Sequence, residues 1–298
     1  MPAFRPAPNF NGTVLVTGAC GFIGSVITAA LRSRGFSVVA HARRPCPEID
    51  WVADLAQPLH AYDLPPDNIV AVIHCAAAIP SRSRSFDDNE RATSHLCIKL
   101  AERAIKRLIH LSSVAVYKPP VRGQWIISED AQLVEVDDPH TSPYANSKRA
   151  SELAFDSFAQ RHSDVTIVHI RASSVYGPGM VPTTLLPVLA SRALRHEPIR
   201  LSGPRKYVQN FVHAEDIAEL AITLLMSDER PYAVNAFSDD TFGLFALAHF
   251  IRDALRSRSV IVDNTDGAEA PDPVFVNTLA RQHQPTFRRL RDHVLDLP

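Results

Sequence analysis

Cysteine is scarce in this chain: the 298 residues include four, Cys20, Cys46, Cys75 and Cys97, and no two form a C-x-x-C pair. That spacing gives neither a zinc ligand set nor a disulfide framework, so the four are expected to be reduced, mostly buried small side chains. Long apolar runs are missing as well. No stretch approaches the roughly 18 consecutive apolar residues of a membrane-spanning helix, and Met1-Pro2-Ala3-Phe4-Arg5-Pro6 has no signal-peptide core. The expected location is the cytoplasm, without membrane contact. Neither sign of charge is in excess: 31 Lys and Arg against 32 Asp and Glu leave a net charge of −1, which argues against nucleic acid as a partner. Internal repeats and low-complexity tracts are absent, and no metal site is expected.

What is present is a chain of enzyme size, 46% hydrophobic and 21% charged, able to bury a full core. Its most informative run is Thr13-Val14-Leu15-Val16-Thr17-Gly18-Ala19-Cys20-Gly21-Phe22-Ile23-Gly24. A β-branched strand breaks into three glycines spaced three apart and enters a helix whose apolar face is Val26, Ile27, Ala30 and Leu31. A glycine trio suits any strand-to-helix turn, but strand, loop and helix here occur in the order of a dinucleotide cradle. Gly18 permits the tight turn, Gly21 the approach of backbone N–H groups to a pyrophosphate, and Gly24 the close packing of helix on sheet. The helix N-terminus adds orphan N–H groups and partial positive charge.

Short β-rich runs then alternate with helical patterns. Ser37–Ala40, Val70–Ile73, Leu108–Leu111 and Val165–Ile170 are strand candidates, separated by helical segments such as Glu90–Lys106 and Ser147–Arg161. This alternation predicts an α/β fold of the Rossmann type, a doubly wound parallel sheet, and Val70-Ala71-Val72-Ile73 has the continuous apolar character of a strand covered on both faces. After Arg171 the chain changes, with Gly177-Pro178-Gly179 and several later prolines opening a less regular region. The expected organisation is a dinucleotide-binding domain over 1–171 with a return segment near 207–236, and a smaller C-terminal substrate lobe from 172–206 and 237–298.

Two further features carry chemistry. Tyr144 and Lys148, four apart at the start of a helical pattern, project from one face; an ammonium beside the phenol favours phenolate and moves the tyrosine toward acid/base work near neutral pH. Ser112-Ser113 closes the strand run Leu108-Ile109-His110-Leu111, and carboxyl ends of parallel strands border the ligand crevice. A glycine cradle, a strand-end serine and a Y-x-x-x-K helix in that order are far more specific together than apart.

With these residues the chain resembles the extended short-chain dehydrogenase/reductases, in the NAD(P)-dependent nucleotide-sugar epimerase/dehydratase/reductase family, over nearly its whole length. Similar stretches are Thr17–Gly24, Val72-Ile73-His74-Cys75-Ala76-Ala77, Ser112 through Tyr117, Ser142 through Lys148, Ile170 through Gly179, and Phe211 through Ala218. The resemblance implies Ser113, Tyr144 and Lys148 as the catalytic set, with Ser113 four residues before Tyr117. Tyr144 would exchange a proton with the substrate oxygen while Lys148 holds the nicotinamide ribose. It also implies cofactor contacts from Gly18, Gly21, Phe22, Ile23, Gly24, Asp54, Leu55, Ala76, Ala77, Asn89 and Val175, and a homodimer. Asn89 stands in a stretch like the family's N-x-x-G-T, with Ala92 in place of the glycine.

The choice of cofactor turns on the end of the second strand, where an acidic residue would accept hydrogen bonds from the ribose 2′-OH of NAD. Ala42 occupies that place, followed by Arg43 and Arg44, whose guanidinium groups suit the 2′-phosphate of NADP. NADP is therefore expected over NAD. Family members that act on nucleotide sugars often carry asparagine before the V-Y-G-P segment and arginine on the later strand, both serving the substrate diphosphate; here Ser174 and Gln209 stand there, with Arg205 and Lys206 nearby. Lys118 replaces the usual glycine after Tyr117. Ser81, Ser113, Ser174, Arg205 and Gln209 are the candidate substrate residues. The leading expectation is a 4-keto reductase or C4 epimerase of a nucleotide-linked sugar. The alternatives are a reductase of a small carbonyl compound and a noncatalytic dinucleotide-binding sensor, since fold alone does not decide function.

Overall fold

The computed structural model describes residues 10–58, 60, 63–65, 68–79, 86–204, 207–267 and 270–297. The first half of the chain runs β1 (Thr13–Thr17), α1 (Phe22–Ser33), β2 (Ser37–Ala42), β3 (Trp51–Val52), β4 (Ile69–His74), α2 (Asp87–Leu100), β5 (Arg107–Ser113), β6 (Gln124–Ile127), α3 (Pro143–Arg161) and β7 (Thr166–Ala172). The second half adds β8 (Ser174–Tyr176), α4 (Leu185–Leu194), β9 (Ile199–Pro204), β10 (Val208–His213), α5 (Ala214–Met226), β11 (Ala233–Ala236), β12 (Thr241–Gly243), α6 (Leu244–Ala254), β13 (Ile261–Asp266), β14 (Asp272–Phe275) and α7 (Thr278–His283).

Seven strands form one sheet in the order β11-β7-β5-β4-β1-β2-β3, every neighbouring pair parallel. The expected doubly wound sheet is thus present. Val14, Leu15 and Val16 of β1 are wholly buried because helices cover both faces. One core layer joins Ile27 and Leu31 of α1 to Ile217, Ala221 and Leu225 of α5 across the sheet strands. The opposite layer joins Leu96 and Leu100 of α2 to Phe155 and Phe158 of α3. A separate apolar cluster gathers Leu189, Leu201, Phe211 and Leu247.

Strand order reverses between β4 and β1, where consecutive crossovers run to opposite sides. A ligand crevice opens outside the carboxyl ends of strands at such a point. α5 packs against α1 on the large sheet, but β10 pairs with β8 and β12 in a small sheet. The helical segment expected over Glu90–Lys106 ends at Leu100, because Lys106 N–H already donates to Val70 O at the start of the β4–β5 ladder.

The cysteines depart from expectation. Cys20 and Cys46 are joined by a disulfide with their Cα atoms 6.6 Å apart, while Cys75 and Cys97 are free. The physical reason is topological: β1 and β2 are parallel neighbours, so the loops that leave their carboxyl ends meet although the two residues are 26 apart in sequence. No metal-ligating cluster occurs among the described residues, and no helix among them is long and apolar enough to cross a membrane.

Two buried polar systems lie beneath the crevice. Arg171 of β7 donates to both carboxylate oxygens of Glu152 of α3 at 3.0 Å, and neither side chain reaches solvent. Ser112 Oγ adds a hydrogen bond to Glu152, and Tyr117 links Arg171 to Asn235. In the second, Thr17, His41, His74, His110 and His169 stand level across five adjacent strands, with Phe155 of α3 against His74 and His110. Removing one partner of a fully buried ion pair strands the other charge. Here Arg149 also donates to Glu152 at 3.0 Å, so Arg171→Met leaves the carboxylate one cationic partner and should cost about 1.5–3 kcal/mol in urea unfolding, the range for hydrogen bonds to a charged group; a loss below ~1 kcal/mol would show that Arg149 alone satisfies it.

Candidate active site

The turn between β1 and α1 is built to a tolerance that only glycine meets. Gly18 has φ +72°, and a Cβ there would lie 2.8 Å from Ala76 Cα and N; a Cβ on Gly24 would lie 2.2 Å from Gly18 O. The turn closes with Gly21 N–H donating to Gly18 O at 2.8 Å. Gly21 caps α1 without a side-chain hydrogen bond, leaving the first N–H groups of the helix for a ligand.

Two cavities meet at this turn. One, of about 170 Å³, is lined by Gly18, Gly21, Phe22, Ile23 and Gly24 together with Ser113, Tyr144, Lys148, Ser173 and Val175. The other, of about 700 Å³, runs past Arg43, Arg44, Asp54, Leu55, Ala76, Ala77 and Asn89. Gly18, Gly21, Cys75 and Ala77 border both. The result is an elongated channel with the glycine turn and a bare helix N-terminus at its middle, a shape and donor set that fit a dinucleotide with its pyrophosphate at the turn.

Ser113 ends β5, and its hydroxyl accepts from Ala115 N–H at 3.2 Å. Tyr144 and Lys148 lie in the first two turns of α3, which Ser142 caps by accepting from Ala145 N–H at 3.2 Å. Lys148 is buried, and its ammonium donates to Leu111 O at 2.7 Å. Asn89 of α2 sits between the two halves of the site: it accepts from Ala78 N–H at 2.6 Å and donates to Ser147 Oγ at 3.0 Å. It thereby ties the segment after β4 to the residue preceding Lys148.

The electrostatics invert the expectation that lysine would pull the phenol toward ionisation. Burial raises the Tyr144 pKa, a hydrogen bond with Ser113 acting against that rise. Burial also brings Lys148 down to about 8, opposed by Cys75 and Glu152. Desolvation of both groups outweighs their proximity, so the phenol is held protonated.

At the wide end, Ala42 ends β2 and Arg43 and Arg44 follow, exposed at the cavity wall. His41 is buried beneath them with Nε2 2.9 Å from Ala53 O, and burial lowers its pKa to about 4. Leu55 is buried and Asp54 half-buried. Ser174 and Gln209 line neither cavity: Ser174 is exposed at the start of β8, and Gln209 donates its amide to Tyr207 Oη at 3.1 Å. Ser81 and Arg205 lie outside the described residues.

Sequence reasoning passed over Cys20, His41, Cys75 and Ser173, all of which line the channel. Cys75 follows the end of β4 and Ser173 the end of β7, so the strand-end rule applied to Ser113 reaches both. Nothing local marks Cys20 and His41. Gly24→Ala should abolish dinucleotide binding in calorimetry while the chain stays folded by circular dichroism, because the methyl group meets backbone rather than a movable side chain. Binding within about twofold of the parent would show that the turn relaxes at little cost.

Comparison with known proteins agrees with this geometry. The model of the NAD dependent epimerase/dehydratase family matches residues 14–236. A dTDP-4-dehydro-6-deoxy-D-allose reductase of Streptomyces bikiniensis is 25% identical over 272 residues, 82% of this chain and 81% of that protein. The CDP-abequose synthase of Salmonella typhimurium is 24% identical over 222 residues, 71% and 69% of the two chains. Among solved structures, MoeE5 in complex with UDP-glucuronic acid and NAD superposes with a TM-score of 0.80 at 26% identity, over 96% of this chain and 97% of that one. The family match extends from β1 through β11, the whole of the large sheet and the channel at its carboxyl edge, and the chain belongs to the NAD dependent epimerase/dehydratase family.

Proposed function

We propose that the protein is an NADP(H)-dependent 4-keto reductase or C4 epimerase of a nucleotide-linked sugar, working in the cytoplasm. The observation that carries this reading is the meeting of Ser113, Tyr144 and Lys148 with the glycine turn in one cavity. A nicotinamide dinucleotide bound along the channel supplies hydride exchange with a substrate carbon. The chain's own residues hold it: the Gly18–Gly24 turn and the α1 N-terminus receive the pyrophosphate, Asp54 and Leu55 border the adenine, and Lys148 takes the nicotinamide ribose. Ser113 and Tyr144 hold the substrate oxygen through their hydroxyls. Tyr144 gives up its proton as that oxygen becomes an alcohol and recovers it in the reverse direction. A phenol kept protonated by burial is in the form that reduction requires.

The nucleotide-linked sugar rests on the likeness to the dTDP-sugar reductase and to MoeE5, whose partner is UDP-glucuronic acid. NADP rests on the two arginines at the wide end of the channel. The homodimer implied by the family enters the proposal on exposed Ile98 and Leu153, which stand on the neighbouring helices α2 and α3.

NADPH consumption, or interconversion of C4 epimers, on a nucleotide-linked 4-keto or 4-hydroxy sugar should be abolished by Tyr144→Phe with dinucleotide affinity nearly unchanged. Lys148→Ala should reduce both. The free protein's lysine titrates at about 8, so dinucleotide affinity should be full below that pH and fall as pH rises through it; the step should vanish in Lys148→Ala. Turnover retained by Tyr144→Phe would overturn the acid/base assignment. Titration with NADP and NAD should show tighter NADP binding, and Arg43→Ala should narrow the gap by about 1.5–3 kcal/mol, the range for a hydrogen bond to a charged group. Equal affinities, unchanged when both arginines are replaced, would remove the assignment of NADP.

A further inference from the structure

The disulfide joins two parts of the cofactor channel. Cys20 is exposed within the glycine turn, between Gly18 and Gly21, and Cys46 is half-buried two residues beyond Arg44. Both ends of the arginine loop are firmly held. Ala42 belongs to β2 and its carbonyl accepts from Ala53 N–H at 3.1 Å. Asp50 accepts from Ala40 N–H at 2.8 Å and from Arg32 at 2.7 Å. Between these anchors, the side chains of Arg43 and Arg44 make no hydrogen bond or ion pair among the described residues. The sulfur bridge is the tether that fixes this stretch against the glycine turn, and the 700 Å³ cavity stays open with the bridge in place.

We propose that the Cys20–Cys46 disulfide sets the cofactor selectivity of the channel, holding Arg43 and Arg44 in position for a 2′-phosphate when formed and releasing them when reduced. The proposal rests on the reading of these arginines as 2′-phosphate ligands. With the bridge intact, binding does not have to order a free loop bearing two long side chains; without it, that entropy is lost on binding and the 2′-phosphate contact weakens. Cys20 stands within the pyrophosphate cradle, but the cradle's turn is closed by its own Gly21 N–H to Gly18 O hydrogen bond and keeps its shape without the bridge, so NAD affinity does not follow.

Reduction proceeds by thiol–disulfide exchange with a dithiol. One reductant thiolate attacks Cys46 Sγ, the S–S bond breaks, and Cys20 leaves as a thiolate just ahead of the α1 N-terminus, where the helix end favours it. The second reductant thiol then displaces Cys46 from the mixed disulfide. The protein gains two electrons and two protons as two thiols, and the dithiol leaves as its cyclic disulfide. The free cysteines do not interfere: burial pushes the Cys75 and Cys97 thiols up to about 12, leaving almost no thiolate near neutral pH.

The test is calorimetric titration of the full chain with NADP and with NAD, before and after dithiothreitol, alongside a Cys46→Ser variant. The expected result is NADP preference in the oxidised protein, a loss of about tenfold in NADP affinity on reduction, NAD affinity unchanged, and a Cys46→Ser variant that matches the reduced protein and ignores dithiothreitol. NADP preferred equally in both redox states overturns the proposal while leaving the arginine reading intact. Parallel loss of NADP and NAD affinity overturns it too, by assigning the bridge to the glycine turn as a whole. Absence of NADP preference in either state removes the arginine reading itself. A non-reduced protein in which mass spectrometry finds Cys20 and Cys46 themselves as free thiols, and which forms no bridge between them with oxidised dithiothreitol, also overturns the proposal.

Discussion

Between the carbonyl oxygen of Gly18 and the backbone of Gly24 there is no space for a methyl group, and this contact governs where α1 begins. Because the helix starts directly against the turn, its unpaired N–H groups open into the channel, and its buried face reaches across to α5. A side chain on Gly24 would displace the helix, and with it the packing of one whole face of the sheet. The same approach brings Ala76 and Cys75, at the end of β4, against the turn, so that both cavities share that wall.

The opposite face is set by α3. Lys148, Glu152 and Phe155 occupy successive turns of one side of this helix, all buried. Glu152 is clasped by Arg171 from β7 and by Ser112 from β5, and Phe155 lies on the histidines of β4 and β5. A buried ion pair adds little net stability over an apolar one, but it admits few alternative arrangements. Here it fixes the rotation of α3 about its axis, which decides whether Tyr144 and Lys148 point into the cavity.

Much of this was legible in the sequence because it is local. The apolar strands, the glycine spacing and the i, i+4 relation of Tyr144 and Lys148 are written within short windows, and the parallel sheet follows from their alternation. What escaped depends on contacts between distant segments. The bridge between Cys20 and Cys46 has no spacing signature, since it arises from the adjacency of β1 and β2. The fall of Lys148 and the rise of Tyr144 come from burial, a quantity the motif does not contain. Ser174 and Gln209 follow from register with a family pattern and line neither of the two cavities at the glycine turn.

The row of imidazoles across the sheet gives the molecule a built-in sensitivity to acid. Burial lowers His74 to about 3 and His41 to about 4, and holds His110 well below its ordinary value. In the unfolded chain each would titrate near 6.5. As pH falls below that value the unfolded chain takes up protons that the native sheet refuses, so stability declines with acidification until the native histidines themselves protonate. Three imidazoles held neutral by burial thus tie the stability of the fold to pH on the acid side, through groups of the sheet distinct from Tyr144 and Lys148.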